Sequence, residues 1–220
     1  MQKRPAPNYL YQSHLQKQGG FAVFAGLLPL DLHQSMLHEA QNLFSYAQES
    51  IVINPDVEEV RGGNPPRAFL SVAAGPVQQS LYHSPALRSF LEQLTGLSIY
   101  LSGIQGTYSF YARRGDHLSL HRDIESCDLA VITCLQDSTS THKRGGILYL
   151  YPDRCEEPLS QIRATPDKGC VPVHLAPNYT VVMYGGIVPH LITPIVNLQV
   201  RIVSILCFSV RNRYIRLGAF

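Results

Sequence analysis

The chain has 220 residues, which is enough for one substantial hydrophobic core. Hydrophobic residues make up 45% of it and charged residues 15%, a balance that excludes wholesale disorder. The formal net charge of +2 is too small to indicate binding to nucleic acid or to a charged membrane surface, so we expect neither partner.

The N-terminus and the cysteines bear on the compartment. Residues 1–20 contain no apolar run, and the apolar residues 21–30 are too few to span a bilayer, so we expect no signal peptide and no membrane anchor. The five cysteines are an odd number and none has C-x-x-C spacing. This pattern favours free thiols in a reducing cytoplasm over a disulfide framework or a zinc site.

The first hundred residues carry two helical patterns. Asp31 is a candidate N-cap for the first helix. For the second, Ser84 is the candidate N-cap, Pro85 suits the first turn and Gly96 supplies the stop. The apolar stripe of the first helix is Leu32, Met36, Leu37, Ala40, Leu43 and Phe44. That of the second is Leu87, Phe90, Leu91 and Leu94. We interpret both stripes as core packing.

Between these helices, residues 61–67 read Arg-Gly-Gly-Asn-Pro-Pro-Arg, which is the composition of a loop. Loops of this kind often carry binding residues, and a plain connector explains the segment equally well.

From about residue 98 the pattern changes to short strands rich in Val, Ile, Leu, Tyr and Phe, separated by Gly and Pro turns. The candidate strands are 98–112, 129–135, 147–151, 171–175, 180–184 and 200–209. This spacing predicts a sandwich, a jelly roll or a barrel. We expect a mainly β protein with flanking helices, in one domain spanning 1–220: a helix-rich part, 1–97, packs on a barrel core, 98–210.

His121, Asp123 and the distant His190 form a candidate metal site. In a strand, alternate side chains leave the same face and lie roughly 6–7 Å apart, so His121 and Asp123 can reach one ion while Arg122 points away. Two histidines and one carboxylate suit Fe(II) and leave open coordination positions. An H-x-D pair by itself is more often a surface or ion-paired feature, so the interpretation depends on context.

That context resembles the Fe(II)- and 2-oxoglutarate-dependent dioxygenases, and is most similar to their prolyl-hydroxylase-like branch. In residues 111–123 a tyrosine precedes a glycine-containing turn and then H-x-D. The candidate strand 129–135 follows, and then a glycine pair with an apolar strand in residues 145–152. His190 and Arg201 come last, eleven positions apart. The resemblance covers roughly residues 108–209.

The resemblance implies a double-stranded β-helix, a jelly-roll (cupin-like) barrel with iron at one end. It makes His121, Asp123 and His190 the iron ligands. It also makes Arg201 the partner of the distal carboxylate of 2-oxoglutarate, and a guanidinium matches a carboxylate bidentately. Tyr111 matches a tyrosine that binds the co-substrate in close relatives, with core packing as the alternative.

The implied reaction consumes dioxygen and 2-oxoglutarate, releases succinate and carbon dioxide, and hydroxylates a substrate C–H bond. Related halogenases have a small residue where this chain has Asp123, so hydroxylation is favoured over halogenation. The chain departs from some relatives in having Cys134 where they place a second co-substrate tyrosine. Arg122, Arg67 and Tyr108 are candidate substrate contacts. The substrate class favoured by a chain this compact is a small molecule, an amino acid or a biosynthetic intermediate, and a peptidyl substrate is the next possibility.

Other interpretations remain open on the sequence. His117 and His121 have i, i+4 spacing, which would suit a metal on a helix, but Gly115 favours extended chain there. His174 has no basic residue at a suitable distance after it. A cupin-type metalloenzyme and a non-catalytic barrel that serves as a binding module are the two rivals at the level of function.

Overall fold

The computed structural model describes residues 10, 12–52, 61–62, 64–138, 145–196 and 200–211. The α-helices within these residues are α1 (His14–Lys17), α2 (Leu30–Leu43), α3 (Pro76–Tyr82), α4 (Pro85–Thr95) and α5 (Leu159–Ala164). Short 3-10 turns occupy Phe44–Tyr46 and Pro152–Arg154. None of the helices in the described ranges is long and apolar enough to cross a membrane.

Both predicted helices form, and the second matches its predicted caps. The Ser84 hydroxyl accepts a hydrogen bond from the Leu87 amide, Pro85 opens α4, and Gly96 ends it in the left-handed conformation with a φ of 72°. The first helix begins one residue earlier than predicted, after Pro29. Asp31 therefore lies in the first turn of α2 and is not its N-cap, which corrects the predicted capping role.

Twelve strands build the rest of the described structure. They are β1 (Phe21–Ala25), β2 (Gln48–Val52), β3 (Arg67–Ala73), β4 (Ser98–Leu101), β5 (Thr107–Tyr111), β6 (His117–His121), β7 (Leu129–Asp137), β8 (Leu148–Leu150), β9 (Val171–Val173), β10 (Tyr179–Met183), β11 (His190–Ile192) and β12 (Arg201–Arg211). The prediction missed β1, β2, β3 and β11 as strands and fused β4 with β5.

The strands pair antiparallel in the order β1-β10-β7-β12-β5-β3-β6-β11-β8-β9, with β2 on β3 and β4 on β12. The two ends of this ribbon curl until they face each other. Leu148 and Leu150 of β8 share one buried cluster with Ala130 of β7 and with Val181 and Met183 of β10. The predicted jelly-roll barrel is thus confirmed. The strand β3, from the part of the chain predicted to be helix-rich, joins the two sheets because it pairs with both β5 and β6.

Alternation along the strands separates an inner from an outer face. On β12, Val203 faces the barrel interior with Tyr111 and Ile195, whereas Ile202 and Leu206 face outward into the larger core under the helices. Helices α2 and α4 cover this outer face with Met36, Ala40 and Leu91, among other residues. The predicted packing role of both apolar stripes follows from these contacts.

The prediction of free thiols is wrong for two of the five cysteines. Cys127, in the turn before β7, forms a disulfide with Cys207 of β12, 80 residues away. The register explains the approach, because Phe208 pairs with Leu129 and Cys207 pairs with Ala130. Cys134, Cys155 and Cys170 are free thiols.

Candidate metal centre

Three side chains converge where β6 ends and β11 begins. His121 and His190 are cross-strand partners, and Asp123 follows two residues after His121. The Oδ1 atom of Asp123 lies 3.4 Å from Nε2 of His121 and 3.6 Å from Nε2 of His190. One ligand atom from each residue lies within 4.8 Å of the other two, and both histidines are buried. The strand register therefore assembles the three predicted ligands around one point.

The backbone sets the tautomer of both histidines. Nδ1 of His121 is 2.8 Å from the Ser119 carbonyl oxygen, and Nδ1 of His190 is 3.0 Å from that of Val188. A carbonyl oxygen only accepts, so each Nδ1 carries the hydrogen, and in the neutral ring the Nε2 lone pair faces Asp123. Such a hydrogen bond fixes ring orientation in metal-binding histidines.

The electrostatics of the cluster call for a cation. Burial and the nearby His190 lower the pKa of His121. Burial alone would raise the pKa of Asp123, but the two histidines outweigh it and hold the pKa well below its usual range. Burial likewise would lower the pKa of His190, and Asp123 reverses that shift. Two nitrogen lone pairs and one carboxylate, all buried together, fit a divalent metal such as Fe(II).

Gly185, between β10 and β11, leaves room for the Asp123 carboxylate. Its carbonyl oxygen accepts a hydrogen bond from the Asp123 amide at 2.8 Å. A Cβ atom at position 185 would lie 2.7 Å from Cγ of Asp123 and 3.2 Å from its Cβ. The backbone of Gly185 thus holds and crowds the one anionic ligand, a role that the sequence analysis did not assign to it.

Arg61 holds the turn that carries Asp123. Its guanidinium donates to the carbonyl oxygens of Ile124 at 2.8 Å and Cys127 at 3.2 Å, and it pairs with the Asp128 carboxylate at 2.8 Å. A weaker bond reaches the carbonyl oxygen of Asp123 at 3.3 Å. A Cβ atom at position 186, which is also a glycine, would lie 2.6 Å from Nε of Arg61. The loop of residues 61–67 is therefore more than a connector at its first residue.

Arg201 and Tyr111 lie side by side on the inner face of the barrel. They are cross-strand partners of β12 and β5, and each is only 2% exposed. Nε and Nη2 of Arg201 are buried and form no hydrogen bond, while Nη1 lies 3.6 Å from Oδ2 of Asp137. Burial raises the pKa of Tyr111, Arg201 opposes this shift, and Asp116 adds to it, so the phenol stays neutral and able to donate.

The candidate substrate contacts fare differently. Tyr108 lies on the outer face, where its hydroxyl donates to Glu39 at 2.6 Å, so the prediction for Tyr108 is wrong. Arg122 is buried and donates to the carbonyl oxygens of Ile187, Cys155 and Glu157, so the prediction for Arg122 is also wrong. Arg67 is half-buried. It is on the same face of β3 as Phe69, which contacts the Tyr111 ring.

Two further sequence alternatives resolve on the structure. His117 and His121 lie on a strand, so the helical i, i+4 metal pair does not exist. The Nδ1 atom of His117 is occupied by the Gly115 carbonyl oxygen at 2.8 Å. Cys134, which was compared with a co-substrate tyrosine, is buried on the inner face opposite Val203. The residue that contacts Arg201 is Asp137, which the sequence analysis missed.

Comparison with known proteins adds the fold relationship. No family model and no curated protein matches the sequence. A Pseudomonas putida prolyl-4-hydroxylase matches with a TM-score of 0.58 and 18% identity, over 88% of this chain and 95% of that one. The non-heme alpha-ketoglutarate-dependent epimerase SnoN from nogalamycin biosynthesis matches with a TM-score of 0.63 and 14% identity, over 98% and 91%.

HygX from Streptomyces hygroscopicus, whose structure contains nickel and 2-oxoglutarate, matches with a TM-score of 0.62 and 12% identity, over 96% of this chain and 88% of that one. SnoN has also been crystallised with Fe3+ and alpha-ketoglutarate. Likeness at these identities establishes the architecture. The chain is therefore built on the double-stranded β-helix fold of the Fe(II)- and 2-oxoglutarate-dependent oxygenases.

Proposed function

We propose that the chain is an Fe(II)- and 2-oxoglutarate-dependent oxygenase that hydroxylates an unactivated C–H bond and releases succinate and carbon dioxide. One observation carries the proposal. The same barrel interior holds a metal-ready set of two histidines and one carboxylate and, on β12, a buried arginine with two unpaired nitrogens.

In this proposal His121, Asp123 and His190 hold the iron through Nε2, a carboxylate oxygen and Nε2. Fe(II), when bound with 2-oxoglutarate and dioxygen, supplies the oxidising chemistry that the protein's own side chains lack. The two backbone carbonyls behind the histidines keep both rings in the ligating tautomer, so the site is organised before the metal arrives.

Arg201 binds the distal carboxylate of 2-oxoglutarate. The unpaired Nε and Nη2 atoms form one edge of the guanidinium, and that edge matches the two oxygens of a carboxylate. Because a buried cation without a full set of partners is costly, this edge is suited to an incoming anion. The Tyr111 hydroxyl, on the neighbouring strand, donates a further hydrogen bond to the same co-substrate.

The barrel interior excludes water around these polar groups. Val203, Ile195 and Phe69 pack with Tyr111. In an apolar surrounding, the ion pair between Arg201 and a carboxylate is stronger than it would be in water. These residues also shield the co-substrate from solvent.

The identity of Asp123 bears on the outcome of the reaction. A carboxylate at this position occupies a coordination site that a small residue would leave to a halide ion. We therefore infer hydroxylation in place of halogenation, and a small molecule, an amino acid or a biosynthetic intermediate as substrate.

A peptidyl substrate is the second candidate. The observation that favours it is the structural likeness to two prolyl hydroxylases, one of them from Trichoplax adhaerens in complex with a hypoxia-inducible-factor peptide fragment. A cytoplasmic location, with neither nucleic acid nor membrane as partner, remains a prediction from the sequence.

The test is an anaerobic titration. Fe(II) and 2-oxoglutarate are added to the purified protein, and the weak visible charge-transfer absorption of the iron–keto-acid complex is recorded. We expect the band in the wild type and its loss in His190→Ala. A folded wild-type protein that shows no band would favour the non-catalytic binding module. Succinate release with free amino acids or with proline-containing peptides then separates the two substrate classes.

A further inference from the structure

A second carboxylate already stands at the arginine that the proposed co-substrate needs. Asp137 of β7 is the cross-strand partner of Arg201, and both side chains are only 2% exposed. Oδ2 of Asp137 lies 3.6 Å from Nη1 of Arg201, which is longer than a hydrogen bond but within ion-pair range. The arginine therefore has one edge beside an anion and the other edge unpaired.

A bulge in β7 brings Asp137 to this position. Ile202 pairs with Gln136 and the next residue, Val203, pairs with Cys134, so Leu135 is an extra residue on β7. Without the bulge, alternation from the inward Cys134 would turn Gln136 inward and Asp137 outward. With it, Gln136 faces outward and bonds Gln41 of α2, while Asp137 faces Arg201.

The consequence is electrostatic. When 2-oxoglutarate places its distal carboxylate on the Nε–Nη2 edge, that carboxylate and Asp137 flank one guanidinium in a buried space. Like charges separated by about 6 Å at an effective dielectric constant of about 20 repel strongly enough to change an affinity roughly 10- to 100-fold. A distal group without charge avoids this repulsion.

We propose that Asp137 sets the selectivity of the Arg201 end of the barrel, by lowering the preference for a 2-oxo acid with a distal carboxylate over one without it. The proposal rests on the proposed function, because it concerns the same co-substrate. Its matched probes are 2-oxoglutarate and 2-oxopentanoate, which share a five-carbon chain and differ in the distal carboxylate alone.

The experiment measures dissociation constants for both acids by anaerobic titration of the Fe(II) protein, with the charge-transfer absorption as readout. Wild type is compared with Asp137→Asn, with Asp137→Ala, and with Asp31→Asn as a control that removes one exposed negative charge from α2. We expect both Asp137 variants to bind 2-oxoglutarate about 10-fold or more tightly than wild type and 2-oxopentanoate within about 2-fold. The control should change neither constant.

Unchanged or weaker binding of 2-oxoglutarate in the Asp137 variants would overturn the proposal, and weaker binding would show that Asp137 orients Arg201. If neither variant folds, the wild type decides alone. A preference for 2-oxoglutarate over 2-oxopentanoate below about 10-fold supports the proposal, and one above about 1000-fold contradicts it. A folded wild type that binds iron but gives no absorption with either acid contradicts the proposed function itself, which is a different result.

Discussion

Gly185→Ala tests whether the metal centre depends on a missing side chain. The added Cβ would lie 2.7 Å from Cγ of Asp123, whereas ordinary contacts begin at 3.4 Å. The carboxylate must therefore retreat by at least 0.7 Å, the difference between these two distances. Metal–ligand distances in proteins tolerate deviations of only about 0.2 Å. We expect the affinity for Fe(II) or Co(II) to fall by about 100-fold or more, because the only anionic ligand of the triad leaves its position.

The assay is a metal titration followed by calorimetry, together with urea unfolding of the metal-free protein. Asp123→Gly provides the matched background, because it removes the carboxylate that the new methyl group meets. In a double-mutant cycle, Gly185→Ala should destabilise the Asp123 protein and have little effect on the Asp123→Gly protein. Metal affinity within about 3-fold of wild type in Gly185→Ala would refute the reasoning, and so would equal destabilisation in both backgrounds.

Three further predictions concern single residues. Asp123→Gly should abolish hydroxylation, measured as succinate-coupled product formation, and a variant with near-normal turnover would contradict the ligand assignment. Arg201→Ala should weaken 2-oxoglutarate binding by at least about 100-fold and leave metal affinity within about 3-fold, so an equal loss of both would contradict its role. Arg61→Ala removes one ion pair and three hydrogen bonds from the ligand turn. It should lower the free energy of unfolding by about 2–4 kcal/mol, whereas the exposed Arg163→Ala should change it by less than about 0.5 kcal/mol.

Local signals in the sequence predicted the parts of the fold that local physics controls. Ser84 and Gly96 mark the ends of α4 because capping needs only neighbouring backbone groups. The H-x-D spacing worked because two residues on one strand face the same way. The pairing of His121 with His190 was not visible in spacing and came from the resemblance, which covers the barrel strands well.

What the sequence did not show depends on contacts between distant segments. The strand β3 reads as an apolar stretch beside a loop, and its pairing with β5 and β6 gives no local signal. Gly185 looks like turn punctuation, although its importance comes from a carboxylate 62 positions away in the chain. The bulge at Leu135 reverses the alternation of β7, so a pattern read along the strand assigns Asp137 to the wrong face.

The disulfide between Cys127 and Cys207 closes a covalent ring around most of the barrel. His190 and Arg201 lie inside this ring, whereas His121 and Asp123 lie on the segment that enters it. A protease that cuts once anywhere between residues 127 and 207 would therefore leave two fragments that are still joined, with every proposed metal ligand retained in one molecule. Under reducing conditions the same cut would release the distal histidine and the arginine together from the H-x-D motif.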